Sequence, residues 1–380
     1  MLKKPKNDWN ETRILLVFSD VNASPQLLSI LKRLKSEQIS LKVFLIGDDR
    51  LQIAKDMSKE GIDFRVLKRK SKYSSFGLFW AIFLELVKGR PAALYASGQF
   101  ASVVGISCSF LLGIPMRVFT RHHSNFHHKY NMKFGVFVDR LTNTLATNVI
   151  AVSKVVQEIL VHDESVRQNK ISLIPNGIDL AVFRNTRLNR KEHSSIPAES
   201  RDELKVGIIS RMTNWKGIEY AAKAFVQFQQ QYPKAHLCII GTFSDSYADI
   251  LEILKPLPKA NYTLEEFRSD IAQFLYGLDI FVHVPIGFRD EAFGIVYIEA
   301  LAGGTPSIVT LSGVLHELPE LKNYVEIVPY MDSDSIFAAM LRIVNQVGAA
   351  KPLVPEQWLQ QYSLDGMASQ YSELLLKGAD

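Results

Sequence analysis

Two glutamates lie eight positions apart in EAFGIVYIEALAGGTPS: Glu291 before a Phe-Gly step, and Glu299 among Val296, Tyr297, Ile298, Ala300 and Leu301. A helix that only packed would have no use for a carboxylate there. If the helix begins near Gly294, Glu299 lies about a turn and a half into it, roughly 7–8 Å along the axis. The two carboxylates would then address different parts of one extended ligand. Upstream, the run KVGIIS leads into Arg211, and Lys216-Gly217 opens the next helix. Two cations and a helix N-terminus at one strand end favour a phosphate or diphosphate, because the helix supplies free N–H groups and a partial positive charge. Each feature also has a plainer reading. Arg211 and Lys216 can be solvated charges, Glu291 a carboxylate on a helix dipole, and Glu299 a half-buried glutamate with a partner. Gly303-Gly304-Thr305-Pro306 is ordinary helix-stop chemistry.

A second cluster lies in VFTRHHSNFHHKY, with His122, His123, His127 and His128. His123 and His127 are spaced i, i+4, as metal ligands on a helix are. No Asp or Glu occurs between Arg121 and Val138, which argues against a catalytic metal there. A polar surface loop is the plainer alternative.

The elements that must position these residues alternate strand and helix. The apolar runs Arg13–Ser19, Leu41–Gly47, Ile62–Leu67, Ala92–Ala96, Arg117–Thr120, Val149–Val152 and Ile171–Pro175 read as strands, and Pro25–Lys35 and Phe76–Lys88 as helices. The polar stretch 184–204 interrupts the pattern. It then restarts with strands at Lys205–Ser210, His236–Gly241, Asp279–Pro285 and Ser307–Thr310, and helices at Gly217–Gln230, Leu264–Tyr276, from Gly294, and at Glu356–Leu376. Near-continuous apolar strands alternating with helices predict two doubly wound parallel sheets, with ligands at strand carboxyl ends and in the cleft between domains. The expected boundaries are an N-terminal domain at 1–180, a linker at 181–204, a second domain at 205–355, and a C-terminal helix at 356–380 returning to the first domain.

At 380 residues, 47% hydrophobic and 22% charged, the chain is of globular composition and long enough for two domains. Its two cysteines, Cys108 and Cys238, lie in apolar runs and form no metal-binding pair, which suits a reducing, cytoplasmic setting. The N-terminal stretch carries cations but no apolar core of a secretory signal. Residues 1–180 hold 26 Lys+Arg and 15 Asp+Glu, so the first half is basic and suits an anionic partner. The longest uncharged run, Pro91–Met116, is broken by Ser97, Gly98, Gln99, Ser102, Gly105, Ser107 and Ser109 and reads as a strand and a buried helix rather than a membrane span. In residues 68–90, Lys68, Arg69, Lys70, Lys72, Lys88 and Arg90 surround Tyr73, Phe76, Phe79 and Trp80. Cations flanking an aromatic-rich helix suggest the face of an anionic membrane; a core helix after a basic loop is the alternative.

Taken together, Arg211, Lys216, Glu291 and Glu299, in this order and spacing, resemble the signature of glycosyltransferase family 4 on the GT-B fold. LIPNGIDLAVF, residues 173–183, is similar to that family's interdomain segment. The resemblance implies a metal-independent, retaining transfer of a sugar from a UDP- or GDP-linked donor to a glycan or lipid-linked acceptor, in surface polysaccharide or glycolipid synthesis. It implies that Arg211 and Lys216 hold the donor diphosphate and Glu291 the transferred sugar. Ala292, Phe293, Gly294 and Ile295 would line the donor, and Glu299 would hold the ribose. Thr120-Arg121-His122 matches a Thr-x-His whose histidine faces the transferred sugar, with His123 as its neighbouring alternative. Asp20, Asn22 and Ser24 occupy the acceptor-side loop where the family commonly has a glycine pair, and Gly241-Thr242-Phe243 replaces an expected Gly-x-Gly. No cofactor and no metal are expected. A nucleic-acid binder has no recognition motif here, and a dehydrogenase has no G-x-G-x-x-G. A nucleotide-sugar epimerase, a non-catalytic sugar-nucleotide binder and a histidine-metal enzyme remain as alternatives.

Overall fold

The computed structural model describes residues 13–48, 50–68, 74–184, 203–318, 320–345 and 352–377. The chain divides into two units: Met1–Gly177 with Tyr362–Asp380, and Ile178–Gln361.

The first unit is a seven-stranded parallel sheet in the order β3-β2-β1-β4-β5-β6-β7. Its strands are β1 (Ile14–Ser19), β2 (Leu41–Ile46), β3 (Phe64–Leu67), β4 (Ala93–Ser97), β5 (Met116–Arg121), β6 (Asn148–Ala151) and β7 (Ile171–Leu173). Every side chain of β1 and of β4 is buried, which is why these central strands show no alternation in sequence. The helices are α1 (Pro25–Ser36), α2 (Gln52–Lys59), α3 (Ser74–Gly89), α4 (Gln99–Leu111), α5 (Phe126–Lys129), α6 (Lys133–Leu145) and α7 (Lys154–Glu158). The strand order reverses between β3 and β4. Right-handed crossovers therefore place α1 and α2 on one face and α3, α4 and α6 on the other. Ser24 caps α1 by accepting from the Leu27 amide.

The second unit is a six-stranded parallel sheet, β10-β9-β8-β11-β12-β13. Its strands are β8 (Lys205–Ile209), β9 (His236–Ile240), β10 (Tyr262–Glu265), β11 (Ile280–His283), β12 (Ser307–Val309) and β13 (Glu326–Ile327). Its helices are α8 (Ile218–Gln231), α9 (Tyr247–Leu254), α10 (Ile271–Gly277), α11 (Ile295–Gly303), α12 (Ser333–Asn345) and α13 (Glu356–Leu359). The core forms where α8, α9 and α12 pack on β8, β9 and β11 through Phe225, Phe228, Ile250, Met340 and Val282.

Two expected helices are broken in the structure. Leu264–Tyr276 is not one helix: Tyr262–Glu265 pairs in parallel with β9, and helix begins only at Ile271. Edge pairing overrides the local helical pattern, and α9 precedes it in a stretch not read as helix. Glu356–Leu376 is likewise broken. The chain leaves α13 and restarts as α14 (Leu364–Leu376), whose first turn is capped by Ser363 accepting from the Gly366 amide. The first unit accordingly resumes at Tyr362, not at 356. In it α14 lies against α1, and Met367, Ala368, Tyr371 and Leu375 join the core beneath β1 and β4. Most of the expected linker, 185–202, and the cations Arg69, Lys70 and Lys72 with Tyr73 lie outside the described residues. No described helix is long and apolar enough to cross a membrane.

Candidate active site

Strands β8 and β11 are hydrogen-bonded neighbours running in parallel, so the segments that follow them emerge at the same edge of the sheet. After β8 come Arg211 and the 3₁₀ turn Asn214–Lys216; after β11 come the 284–294 loop and α11. Gly217 links the turn to α8 with φ +67, and a Cβ there would stand 2.0 Å from the Val284 carbonyl oxygen. Glycine is thus required for the two segments to touch.

That contact brings Lys216 to Glu291. Lys216 Nζ donates to Glu291 Oε1 at 2.5 Å, with side chains 12% and 10% exposed. His283, the last residue of β11, donates from Nε2 to the same oxygen at 2.7 Å. The Glu291 amide donates to Ser312 Oγ at 3.1 Å, and Ser312 Oγ donates to the Gly287 carbonyl at 2.8 Å. Burial works to raise the Glu291 carboxyl. The Lys216 charge and the His283 hydrogen bond outweigh it and hold the pKa at about 2. Burial lowers the His283 pKa against the pull of Glu291, so the ring is a neutral donor at pH 7. The sequence reading passed over His283, whose only signal was a histidine in the otherwise apolar strand DIFVHVP.

Gly294 precedes α11 with φ +83, and a Cβ there would meet the Tyr297 ring at 2.4 Å. The Tyr297 amide turns back to the Gly294 carbonyl, leaving the Ile295 and Val296 amides as the open N-terminus of the helix. Phe293 is buried, and its carbonyl accepts from the Val314 amide at 2.9 Å. Glu299 lies within α11, half-buried and without a hydrogen-bonding or ionic partner among the described residues; burial pushes its pKa up to about 7. Arg211 is exposed at the carboxyl end of β8, its guanidinium making no hydrogen bond or ion pair to a described residue. Lys216 and Glu291 are therefore joined directly. Arg211 shares their sheet edge, and Glu299 stands further along α11. At the end of β9, a Cβ on Gly241 would lie 1.9 Å from the Ser210 carbonyl oxygen, so this glycine serves packing between β9 and β8.

In the first unit the histidines divide. His122 is open to solvent on one edge, with Nε2 3.0 Å from Ser97 Oγ. Burial, with the His123 charge adding, lowers its pKa. Thr120 faces inward, hydrogen-bonded to the Tyr95 and Tyr371 hydroxyls at 2.9 and 3.0 Å. The acidic partner missing from the sequence window is Asp139, one residue beyond it on α6. His127 Nδ1 donates to Asp139 Oδ2 at 2.6 Å, and His123 Nε2 lies 3.6 Å from Oδ1. Ligand atoms of His123, His127 and Asp139 fall within 4.8 Å of one another, as metal ligands could. Arg121, itself buried, joins the same carboxylate: its guanidinium lies 3.1 Å from Asp139 Oδ2 and also pairs with Glu164. A divalent cation would have to sit beside that fixed positive charge. The group is a buried ion-pair network, extended by Asn143 donating to Glu164 at 2.5 Å. A small pocket lined by Gly98, Gln99, Thr120, His122, His123 and Asp139 opens beside it.

In the loop after β1, expected on the acceptor side, Asp20 is exposed with φ +60 and accepts from Ser19 Oγ at 2.8 Å. Asn22 Oδ1 accepts from the Gln52 amide at 3.3 Å, so Asn22 secures the start of α2 as Ser24 secures α1.

Two family models match this chain: Glycosyltransferase Family 4 over residues 25–182, and Glycosyl transferases group 1 over residues 189–348. The chain belongs to glycosyltransferase family 4, and its fold is GT-B, two parallel-sheet Rossmann-like domains in one chain. It is 24% identical over 232 residues to the capsular polysaccharide biosynthesis glycosyltransferase CapM of Staphylococcus aureus, which covers 59% of either chain. The match thus spans about three-fifths of that relative's length. Among solved structures, HepE of Anabaena in complex with UDP and glucose aligns at TM-score 0.75 and 20% identity, over 96% of this chain and 99% of that one. Sucrose-phosphate synthase of Thermosynechococcus elongatus aligns at TM-score 0.72 and 19% identity, over 96% and 99%.

Proposed function

We propose that the chain transfers a sugar from a nucleotide-sugar to a glycan or lipid-linked acceptor with retention at the anomeric carbon, in the building of a surface polysaccharide or glycolipid. The observation that carries this reading is the convergence of Arg211, the Lys216–Glu291–His283 cluster and the open N-terminus of α11 at one end of the second sheet. Breaking the bond between a sugar and a nucleoside diphosphate leaves negative charge growing on the departing phosphate. Cations and helix amides already fixed there stabilise that charge more in the transition state than in the ground state. In this reading Arg211 and Lys216 hold the diphosphate, with no metal required. Glu291 accepts from hydroxyls of the transferred sugar, and the unpartnered Glu299 accepts from the ribose. His122 is assigned to the transferred sugar through its Thr-x-His match. The UDP and glucose held by HepE and the polysaccharide role in CapM's name support UDP and a glycan as first choices. The two free cysteines support a reducing, cytoplasmic setting; a place at the membrane's inner face is part of the same proposal.

The test is calorimetric titration with UDP, GDP and ADP, with and without EDTA, on the native chain and on Arg211→Ala. Binding of one nucleotide diphosphate that survives EDTA and weakens at least tenfold in Arg211→Ala is expected, a loss typical of a charge-assisted contact. Indifference to all three nucleotides would remove the reading. Proton NMR of the product's anomeric centre then checks retention.

A further inference from the structure

The outer faces of α3 and α6 carry large apolar side chains in rows. On α3, Phe76, Trp80 and Leu84 recur every four residues and are exposed, Phe76 to 71%. On α6, Phe134, Phe137 and Leu141, three and then four residues apart, are exposed too, Phe134 to 79%. Between them lies α4, packed against both and ending in exposed Leu111. All three helices cover the same face of the first sheet, so the exposed rows of α3 and α6 and the exposed end of α4, Phe110 and Leu111, lie on one side of the unit. Exposed large apolar side chains gathered on one face in this way mark an interaction site.

Charge indicates the occupant. From residue 74 to 145 the only acids are Glu85 and Asp139. Both are buried and ion-paired, Glu85 with Lys42 and Arg65 and Asp139 with Arg121. Lys88, Arg90, Lys129, Lys133 and Arg140 are all exposed. The surface is therefore apolar, set among cations, and shows no exposed carboxylate among its described residues. A second copy would bring like charges against like in a two-fold contact. A bilayer with anionic headgroups satisfies both features, since the aromatics enter the headgroup–acyl boundary and the cations meet the phosphates. Among the described residues α3 is 16 residues long, too short to span, so it would lie in the plane of the membrane.

We infer that the α3–α4–α6 face of the first unit docks on an anionic lipid surface. This deepens the membrane side of the proposed function, and vesicle binding and nucleotide binding are read independently. The experiment is flotation of the full chain with vesicles of equal parts phosphatidylcholine and phosphatidylglycerol, against phosphatidylcholine alone. Two variants accompany it: Phe76→Ser/Trp80→Ser/Phe134→Ser/Phe137→Ser, and Lys88→Gln/Lys133→Gln. Every altered side chain is exposed, so the melting temperature is expected to hold. Flotation with the anionic vesicles only is expected. It should be abolished in the aromatic variant and weakened about thirtyfold in the lysine variant, from roughly 1 kcal/mol per surface cation. Absence of flotation overturns the inference, as does flotation indifferent to both variants. A lipid-free dimer that the aromatic variant dissolves, with no flotation, would assign the face to self-association instead.

Discussion

Replacing Lys216 by Met tests whether the Glu291 cluster is held together as described. The substitution keeps most of the aliphatic stem and removes the charge. Glu291 would remain buried, with only His283 donating to its carboxylate. A carboxyl whose pKa falls from 4.5 to about 2 on folding contributes about 3 kcal/mol at neutral pH. The sign follows from the depressed value: the contribution is complete above the unfolded pKa near 4.5 and disappears as pH falls toward 2. Breaking a buried pair from one side costs about 3–5 kcal/mol, which agrees. In a unit of the size of Ile178–Gln361, a loss of about 3–5 kcal/mol lowers the melting temperature at pH 7 by about 6–20 °C. Scanning calorimetry from pH 7 to pH 3 is the assay. The native chain should lose stability steeply below pH 4.5, and Lys216→Met should show a much flatter profile. Lys216→Met/Glu291→Gln should regain most of the loss, because no buried charge is then left unpaired. A cost below about 1 kcal/mol with an unchanged pH profile would show that Lys216 is a loosely held surface cation, and the account of the cluster would fail.

Gly294→Ala should cost about 1–3 kcal/mol, since alanine must adopt a left-handed backbone and press on Tyr297, and it should weaken nucleotide binding in the same titrations. Arg121→Met should destabilise the chain by about 3–5 kcal/mol in urea, because Asp139 and Glu164 are both left buried without their cation; Arg121→Lys should rescue it only in part, having no fork to span two carboxylates. Zinc should leave the melting temperature unchanged in the native chain; an upward shift that His123→Ala abolishes would restore the metal reading of the histidines.

Both sheets were legible because central parallel strands are buried on both sides and stand out as unbroken apolar runs. The pairing of Lys216 with Glu291 was legible only as two strand-end features. Their contact depends on a glycine-permitted approach of backbone to backbone across adjacent strands. His283 escaped notice because a buried strand histidine looks like any core position until its acceptor, eight residues on, folds back over it. Asp139 was missed because a helix, not sequence proximity, carries it to the histidines. The Thr120–Tyr371 hydrogen bond joins residues 251 positions apart, a separation that no local pattern encodes. β10 was lost to helix because four residues of edge strand carry less signal than the periodicity that follows.

The docking of α14 against α1 fixes an order of events during synthesis. Met367, Ala368, Tyr371 and Leu375 fill the core beneath the first sheet, yet the ribosome makes them only after all of Ile178–Gln361. At typical elongation rates that interval is about 10–40 s. For that time the nascent first unit has its seven strands but an open seam where α14 belongs. The later unit can close its own core first. The first to emerge is thus the last to finish, and its unfilled seam is what a chaperone would have to shield.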